Sequence, residues 1–407
     1  MNIIRILPEN SEIMLMLTSS QFVEASADKT ITGQSRIDSV DMVRGIVMVL
    51  MAIDHVRVYS GIPAGGPEAG VFFTRWVTHF CAPAFAFFAG TSAFLYGSKI
   101  QNASALARYL LTRGLLLVAL ELTLIRLLWA FNISADFILA GVIWMLGWCM
   151  VLLAGMVRMR PKAIGIMGVA IIVFQQVFQL LHQVAADTGS ESLGKFAELL
   201  YSTGNQSFGG MNVLYCLIPW IGVMMAGYGF GEILLLSPAR RKNLCLYLGL
   251  AITLGFVVIG TIGVLMSADE STPYVFQLLN QRKYPASQLY LMMTLGPAIL
   301  ALPFLENVRS RVGEAFKVIG RVPFFYYLAH ILVIHLSALV VQYLMTGEVH
   351  HEWYDYAPFT SIPQEQRWSL ALLYGVFIVD VVILFFLSRW YADYKLKHPN
   401  VKWLKYL

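Results

Sequence analysis

The chain has 407 residues, of which 58% are apolar and 13% are charged, and its mean hydropathy is +0.66. A soluble domain carries roughly 25% charged residues, so this composition excludes an ordinary soluble fold and indicates an integral membrane protein. Four cysteines in a chain of this length exclude a disulfide scaffold. The net charge of +5 does not predict nucleic-acid binding, because the basic residues are scattered between apolar runs instead of gathered on one element.

Ten apolar stretches are long enough to cross the hydrocarbon core of a membrane, which takes roughly 20 helical residues. They cover residues 39–59, 77–98, 105–128, 137–157, 162–184, 212–235, 243–266, 286–305, 317–345 and 368–390. None of them alternates apolar and polar residues, so a β-barrel is not expected. The sequence therefore predicts an all-α, polytopic bundle of about ten transmembrane helices, without a soluble catalytic domain.

The distribution of Lys and Arg predicts the orientation of these helices. If the N-terminus is cytoplasmic, 21 of the 29 basic residues fall in cytoplasmic segments and 7 in outer segments. Because basic residues favour the cytoplasmic side, both termini are predicted to be cytoplasmic, in a multi-pass protein of the plasma (inner) membrane. We expect a weakly ordered lead-in over 1–35, a membrane domain over 36–391 and a basic cytoplasmic tail over 392–407.

The first span carries more charge than topology requires. Ionisable side chains inside a span are costly and by default mark functional sites, and this span contains Asp41, Arg44, Asp54 and His55. Arg44 and His55 are eleven residues apart, so they share one helical face about 16 Å apart. Asp54 points roughly 100° away from His55 and is not expected to orient it. His79 opens the second, antiparallel span and is expected level with His55.

Other polar residues within spans have a simpler interpretation as interhelical hydrogen bonds. This interpretation is favoured for His182, His335, Glu121 and Asp380, and it is left open for His330. Glu121 is expected to face another helix. Cysteines inside spans behave as small hydrophobes, and neither a zinc-ligand spacing nor a phosphate-binding glycine motif occurs, so no metal site is predicted.

Two sequence blocks carry a family resemblance. Residues 36–55, RIDSVDMVRGIVMVLMAIDH, resemble the opening of the heparan-α-glucosaminide N-acetyltransferase-like membrane proteins. Residues 72–92, FFTRWVTHFCAPAFAFFAGTS, are similar to the bacterial branch of that group, as are residues 108–114 and 388–394. The Arg–eleven–His spacing is also similar to the first helix of the acyltransferase type 3 family, where the helical His is catalytic, and Arg44 and His55 match those positions.

The chain departs from the eukaryotic lysosomal acetyltransferase, whose catalytic His lies in the loop after the first span. The corresponding loop, 60–78, contains no His here. In that enzyme an Asn stands opposite His55 and an Asp opposite His79. The resemblance therefore leaves His55 and His79 as the two candidates for a catalytic imidazole.

The resemblance implies transfer of an acyl group, expected to be acetyl, from cytoplasmic acyl-CoA to a sugar or envelope acceptor on the outer side. The predicted catalytic residues are His55, His79, Asp54, Arg44 and Asp41. The predicted CoA-binding residues are Arg108, Arg113 and Arg321, because guanidinium groups suit phosphates. Trp76, Trp129 and Tyr59 are expected to stack on an acceptor sugar. The expected partners are membrane lipids, acyl-CoA and a carbohydrate acceptor, with no nucleic acid; a homodimer stays open.

Two alternatives remain. A transporter or flippase would use Asp41, Arg44, Glu121 and Asp380 as a polar pathway, but the chain shows no internal repeat and no broken span of the kind typical of transporters. A non-catalytic membrane scaffold would require neither histidine.

Overall fold

The computed structural model describes residues 37–65, 68–132, 138–201, 206–208, 211–267, 269, 271–401 and 404, with the backbone alone at 206–208. The described residues from Ser39 onward form one compact unit. The predicted lead-in over 1–35 lies outside the described residues. The described part is mostly helical, in agreement with the predicted class.

Nine helices of the described residues precede the middle of the chain. They are α1 Asp38–Tyr59, α2 Ala69–Trp76, α3 Cys81–Ile100, α4 Ala103–Leu120, α5 Arg126–Ala130, α6 Val142–Met156, α7 Pro161–Val173, α8 Gln179–Thr188 and α9 Glu191–Leu200. A 3-10 turn, Val77–Phe80, joins α2 to α3, and a π-helical turn, Glu121–Ile125, joins α4 to α5. A second 3-10 turn, Gln175–Phe178, precedes α8.

The remaining helices follow in the second half of the described chain. They are α10 Trp220–Leu234, α11 Pro238–Leu265, α12 Tyr274–Leu279, α13 Gln288–Leu305, α14 Arg311–Arg321, α15 Pro323–Thr346 and α16 Leu370–Lys397. Short 3-10 turns, His351–Tyr354 and Gln364–Gln366, lie between α15 and α16.

A small sheet corrects the all-α prediction. Its strands are β1 Ile138–Ala140, β2 Gln206–Phe208 and β3 Met211–Val213, in the order β1-β3-β2. β1 pairs with β3 in parallel, and β2 pairs with β3 antiparallel. β1 and β3 lie at the beginning of two predicted spans. Their pairing satisfies the hydrogen bonds of backbone N–H and C=O groups that would otherwise be satisfied within a helix. Strands of three residues are too short to give an alternating sequence pattern.

Five helices of the described residues are long and apolar enough to cross a membrane by length and composition. They are Ala69–Ile100, Pro238–Leu265, Gln288–Leu305, Pro323–Thr346 and Leu370–Lys397. Two shorter apolar helices are α6 and α10. α1 is 22 residues long but includes five charged side chains. The chain is thus a helical membrane protein, whereas these criteria do not confirm a count of ten spans.

Two predicted spans are interrupted. Span 162–184 is bent by 66° between Pro161–Val173 and Gln175–Thr188, so the expectation that no span is broken is wrong. Span 317–345 is two helices, because α14 ends at Arg321 and α15 begins at Pro323. Proline is favoured at the first position of a helix, because an N–H group there has no hydrogen-bond acceptor within the helix.

Glycines allow several helices to approach closely. A Cβ atom at Gly45 of α1 would overlap the carbonyl of Phe316 in α14, and one at Gly320 of α14 would overlap the carbonyl of Asp41 in α1. α3 meets α10 in the same way at Gly90. Small residues are typical of such contacts, since apolar burial alone does not drive helices together in lipid. α1, which carries the candidate residues, is therefore fixed against α14 along its first half.

Candidate active site

A pair of imidazoles joins α1 to α15. Nδ1 of His55 lies 2.6 Å from Nε2 of His330, although the two residues are 275 positions apart in the chain. Their rings stack with centroids 4.8 Å apart. His330 is completely buried. The sequence left its role open, and the structure makes it the hydrogen-bond partner of His55.

The backbone of α15 determines which nitrogens of this pair carry protons. Nδ1 of His330 lies 3.1 Å from the carbonyl of Tyr326. A carbonyl only accepts, so Nδ1 of a neutral His330 carries the hydrogen and its Nε2 is an acceptor. Nδ1–H of His55 therefore donates to His330, and Nε2 of His55 keeps its lone pair. No hydrogen bond to that Nε2 is found within the described residues.

Aromatic side chains hold the His55 ring in place. Trp129 of α5 meets it edge-on, with ring centroids 4.7 Å apart. Tyr59 stacks on Trp129 at 5.7 Å and donates its hydroxyl to the Trp129 carbonyl. Trp129 and Tyr59 are both buried. Trp129 packs against the His55 imidazole, and Tyr59 packs against Trp129. Contrary to expectation, neither ring is exposed to stack on an acceptor sugar.

Asp54 interacts with Arg57 and not with its neighbour His55. Its carboxylate lies 3.0 Å from Nε of Arg57, whose terminal nitrogen donates to the carbonyl of Ile62 at 2.8 Å. The prediction that Asp54 does not orient His55 is confirmed. The ion pair is buried on the Arg57 side, and it closes the end of α1 next to the imidazole pair.

His79 lies in the 3-10 turn between α2 and α3 and is buried. Its Nδ1 donates to the carbonyls of Arg75 and Trp76, at 3.1 and 3.2 Å. Tyr290 of α13 donates its hydroxyl to the His79 carbonyl at 2.8 Å. In its neutral form His79 therefore also presents an unprotonated Nε2.

The two candidate imidazoles share one electrostatic neighbourhood. Asp54 and Lys283 each act on both His55 and His79. No direct contact between the imidazoles of His55 and His79 is found in the described part of the chain. Lys283 lies between α12 and α13 and was missed by the sequence analysis, since a basic residue outside a span looks like a topology signal.

Arg44 connects α1 to α3. Its terminal nitrogen donates to the carbonyl of Phe88 at 2.6 Å and to the hydroxyl of Ser92. Its other terminal nitrogen lies 3.9 Å from Asp41. Arg44 and Asp41 therefore interact near the beginning of α1, while His55 lies near its end.

The three arginines assigned to CoA lie on two helices. Arg108 is exposed on α4, and Arg113 of the same helix donates to the hydroxyl of Tyr109 at 2.8 Å. Arg321 is the last residue of α14. No contact that joins the three is found among the described residues, so their common role stays a prediction.

Glu121 stabilises the start of another helix. Its carboxylate accepts from the amides of Ile143 and Trp144, at 3.1 and 3.3 Å, at the N-terminus of α6. Helix N-termini have unpaired amides and a positive dipole end, which a carboxylate satisfies. The prediction that Glu121 faces another helix is confirmed.

Asp380 of α16 has a different environment. It is fully buried and accepts from the hydroxyl of Ser337 in α15 at 2.6 Å. Of the charged residues that a transport pathway would need, Asp41 and Arg44 lie together on α1, whereas Glu121 and Asp380 have separate partners on other helices. No cluster of three or more His, Cys, Asp or Glu side chains that could hold a metal is found within the described ranges.

The family described as heparan-alpha-glucosaminide N-acetyltransferase, catalytic, matches residues 36–266, which is more than half of the chain. That range runs from α1 to the end of α11 and includes His55 and His79, whereas His330 and Lys283 lie beyond it. A search of the curated proteins found no match. Acetyltransferase-type activity, with acetyl-CoA and a sugar acceptor, is what the family indicates. The chain belongs to the heparan-alpha-glucosaminide N-acetyltransferase catalytic family.

Proposed function

We propose that the protein transfers an acetyl group from cytoplasmic acetyl-CoA to an amine or hydroxyl of a carbohydrate acceptor on the outer side of the plasma membrane, with His55 as general base. The observation that carries this proposal is the hydrogen bond from His55 to His330. It leaves Nε2 of His55 as a basic nitrogen in a family whose members transfer acetyl groups. Imidazole titrates near neutral pH, which suits it to this role.

The proposed reaction needs one proton relay. The acceptor nitrogen or oxygen attacks the thioester carbonyl and gives its proton to Nε2 of His55. The tetrahedral intermediate then collapses, the carbon–sulfur bond breaks, and Nε2–H returns the proton to the departing CoA thiolate. His330 accepts the Nδ1–H bond throughout, and this bond becomes stronger while His55 is an imidazolium. His79 supplies a second neutral imidazole on the acceptor side of the site. Asp54 forms its ion pair with Arg57 next to the imidazole pair.

The membrane arrangement is part of the proposal. Ten crossings with both termini cytoplasmic place Arg108, Arg113 and Arg321 at the cytoplasmic mouth, where their guanidinium groups would bind CoA phosphates. Asp41 and Arg44 support the beginning of the path along α1. The thioester would reach His55 between apolar helices, which protects it from water.

The test is acetyl transfer by the full-length protein in nanodiscs. Wild-type protein should release CoA from acetyl-CoA when glucosamine is supplied, and His55→Gln should reduce the turnover number kcat by about 10²- to 10⁴-fold, the usual contribution of a general base. His182→Gln is the matched control, because its imidazole hydrogen-bonds the carbonyl of Tyr201 and no contact with His55 or His330 is found in the described part of the chain. Wild-type protein that binds no acyl-CoA, or a His55→Gln variant of full activity, would overturn the proposal.

A further inference from the structure

The helices α11 and α13 form a closely packed antiparallel pair. A Cβ atom at Gly249 of α11 would overlap the backbone of Leu300 in α13, and one at Gly296 of α13 would overlap Thr253 in α11. From the first contact to the second, the residue number rises along α11 and falls equally along α13. This register brings the beginning of α11 level with the end of α13.

An ion pair fixes this end of the two helices. The guanidinium of Arg241, near the beginning of α11, donates to the carboxylate of Glu306, at the C-cap of α13. It also donates to the carbonyls of Leu234 and Leu236, just before α11, at 3.2 and 3.3 Å. The carboxylate of Glu306 is therefore already neutralised by Arg241.

Exposed cations lie next to this ion pair on both of the chain segments that it joins. They are Arg240 and Lys242 at the beginning of α11, Arg309 just after α13 and Arg311 at the beginning of α14. No hydrogen bond or ion pair to any of the four is found among the described residues. Glu314, the acidic residue in the first turn of α14, pairs with Lys317 instead. This end of the helix pair thus carries four positive charges that no protein carboxylate binds.

The surface that continues from these cations along α11 is apolar. Tyr247 is 71% exposed, and Leu250, Leu254 and Val258 follow it as exposed side chains on the same helical face. Arg240 precedes Tyr247 by two helical turns and so lies at the end of that face. Because α11 is long and apolar enough to cross a membrane, this face is available to lipid. A phospholipid has the same order of groups, an anionic phosphate followed by apolar chains.

We propose that the beginning of α11 and the end of α13 bind the phosphate of an anionic phospholipid, whose acyl chains lie along the exposed face of α11. Both cationic segments belong to the predicted cytoplasmic side, where anionic lipids attract basic residues. The apolar face beside the cations favours a lipid over a water-soluble phosphate. The inference does not depend on acetyl transfer, because none of these residues has a role in the proposed reaction.

The experiment measures lipid binding to the full-length protein in detergent by native mass spectrometry. The probes are dioleoyl phosphatidylglycerol, which is anionic, and dioleoyl phosphatidylcholine, which has no net charge. Wild-type protein should prefer phosphatidylglycerol, and the double variant Arg240→Gln/Arg309→Gln should bind it about 25-fold more weakly, about 5-fold for each cation. Its binding of phosphatidylcholine should not change.

Arg160→Gln/Lys162→Gln is the matched control, since it removes two exposed cations from another predicted cytoplasmic segment. It should keep the wild-type preference for phosphatidylglycerol. Size-exclusion chromatography of each variant before the measurement selects folded protein.

Four results would overturn the inference. Wild-type protein that binds both lipids equally would show that the cations do not select an anionic lipid, and an equal loss in the two double variants would show general surface charge. Calorimetric titration with acetyl-CoA provides the third: weaker acetyl-CoA binding by Arg240→Gln/Arg309→Gln, with phosphatidylglycerol binding unchanged, would assign these cations to the phosphates of CoA. Dimers that carry no bound lipid would assign the face of α11 to a second copy of the chain.

Discussion

Replacing His330 tests whether the imidazole pair fixes the tautomer of the catalytic base. In His330→Leu the side chain still fills much of the buried space between α1 and α15, but Nδ1–H of His55 loses its acceptor at 2.6 Å. The neutral bond is worth about 1 kcal/mol, and the bond to the imidazolium formed during transfer about 1.5–3 kcal/mol. Only the difference between the two, about 0.5–2 kcal/mol, slows the chemical step. Since about 1.36 kcal/mol corresponds to a tenfold change in rate, kcat should fall by about 2- to 30-fold.

The size of this effect distinguishes an orienting role from a chemical one. Loss of the base itself is expected to cost about 10²- to 10⁴-fold, so His330→Leu should retain more activity than His55→Gln. His330→Gln keeps an oxygen that can accept from His55 and should be less impaired than His330→Leu. The Michaelis constant KM for acetyl-CoA should not change, because His330 is proposed to act on the imidazole and not on CoA.

The assay measures kcat and KM for each purified variant in nanodiscs, with the folded fraction followed by size-exclusion chromatography. His335→Leu is the control, since this histidine lies on the same helix, is equally buried and donates to the carbonyl of Leu128. A His330→Leu variant with wild-type kcat would refute the tautomer argument. A kcat that falls only in proportion to the folded fraction, as in His335→Leu, would refute it as well.

Three further predictions concern stability, measured as melting temperature in detergent. Glu121→Leu should lower the free energy of unfolding by about 1–3 kcal/mol, because two buried amides at the start of α6 lose their acceptor; an unchanged melting temperature would contradict the capping role. Gly320→Ala should lower the free energy of unfolding by about 1–3 kcal/mol, because the added Cβ overlaps the α1 backbone. Gly263→Ala is the control, since a Cβ there meets nothing within 4 Å, and it should not lower the free energy of unfolding. Equal effects of the two substitutions would argue against the close contact between α1 and α14. Asp380→Asn should leave stability unchanged or raise it, since the amide still accepts from Ser337 and removes an ionisable group from the membrane; a large loss of folded protein would show that the charge is required.

The sequence predicts the helices and one half of the imidazole pair. Hydrophobic length locates α1, and the cost of ionisable residues in a span singles out His55. Helical geometry also separates Asp54 from His55 correctly, because adjacent residues on a helix diverge by roughly 100°. These inferences succeed since they depend on local spacing alone.

The partners of those residues depend on contacts that spacing does not contain. His330 is 275 positions from His55, and Glu121 binds amides more than twenty residues away. The strands β1 and β3 pair across about seventy residues of chain, so neither of them shows a local signal. In the sequence Lys283 resembles any other loop cation, because its position between two tyrosine rings depends on the fold.

The site residues are spread along the chain, so the segment that matches the family does not contain the whole candidate site. Residues 36–266 supply His55 and His79, but the nitrogen that accepts from His55 comes from α15 and the hydroxyl that fixes the His79 backbone comes from α13. Without α15, Nδ1–H of His55 has no acceptor, and both tautomers of that imidazole become accessible. The helices beyond the family match therefore belong to the proposed catalytic unit, because they determine which nitrogen of His55 is the base.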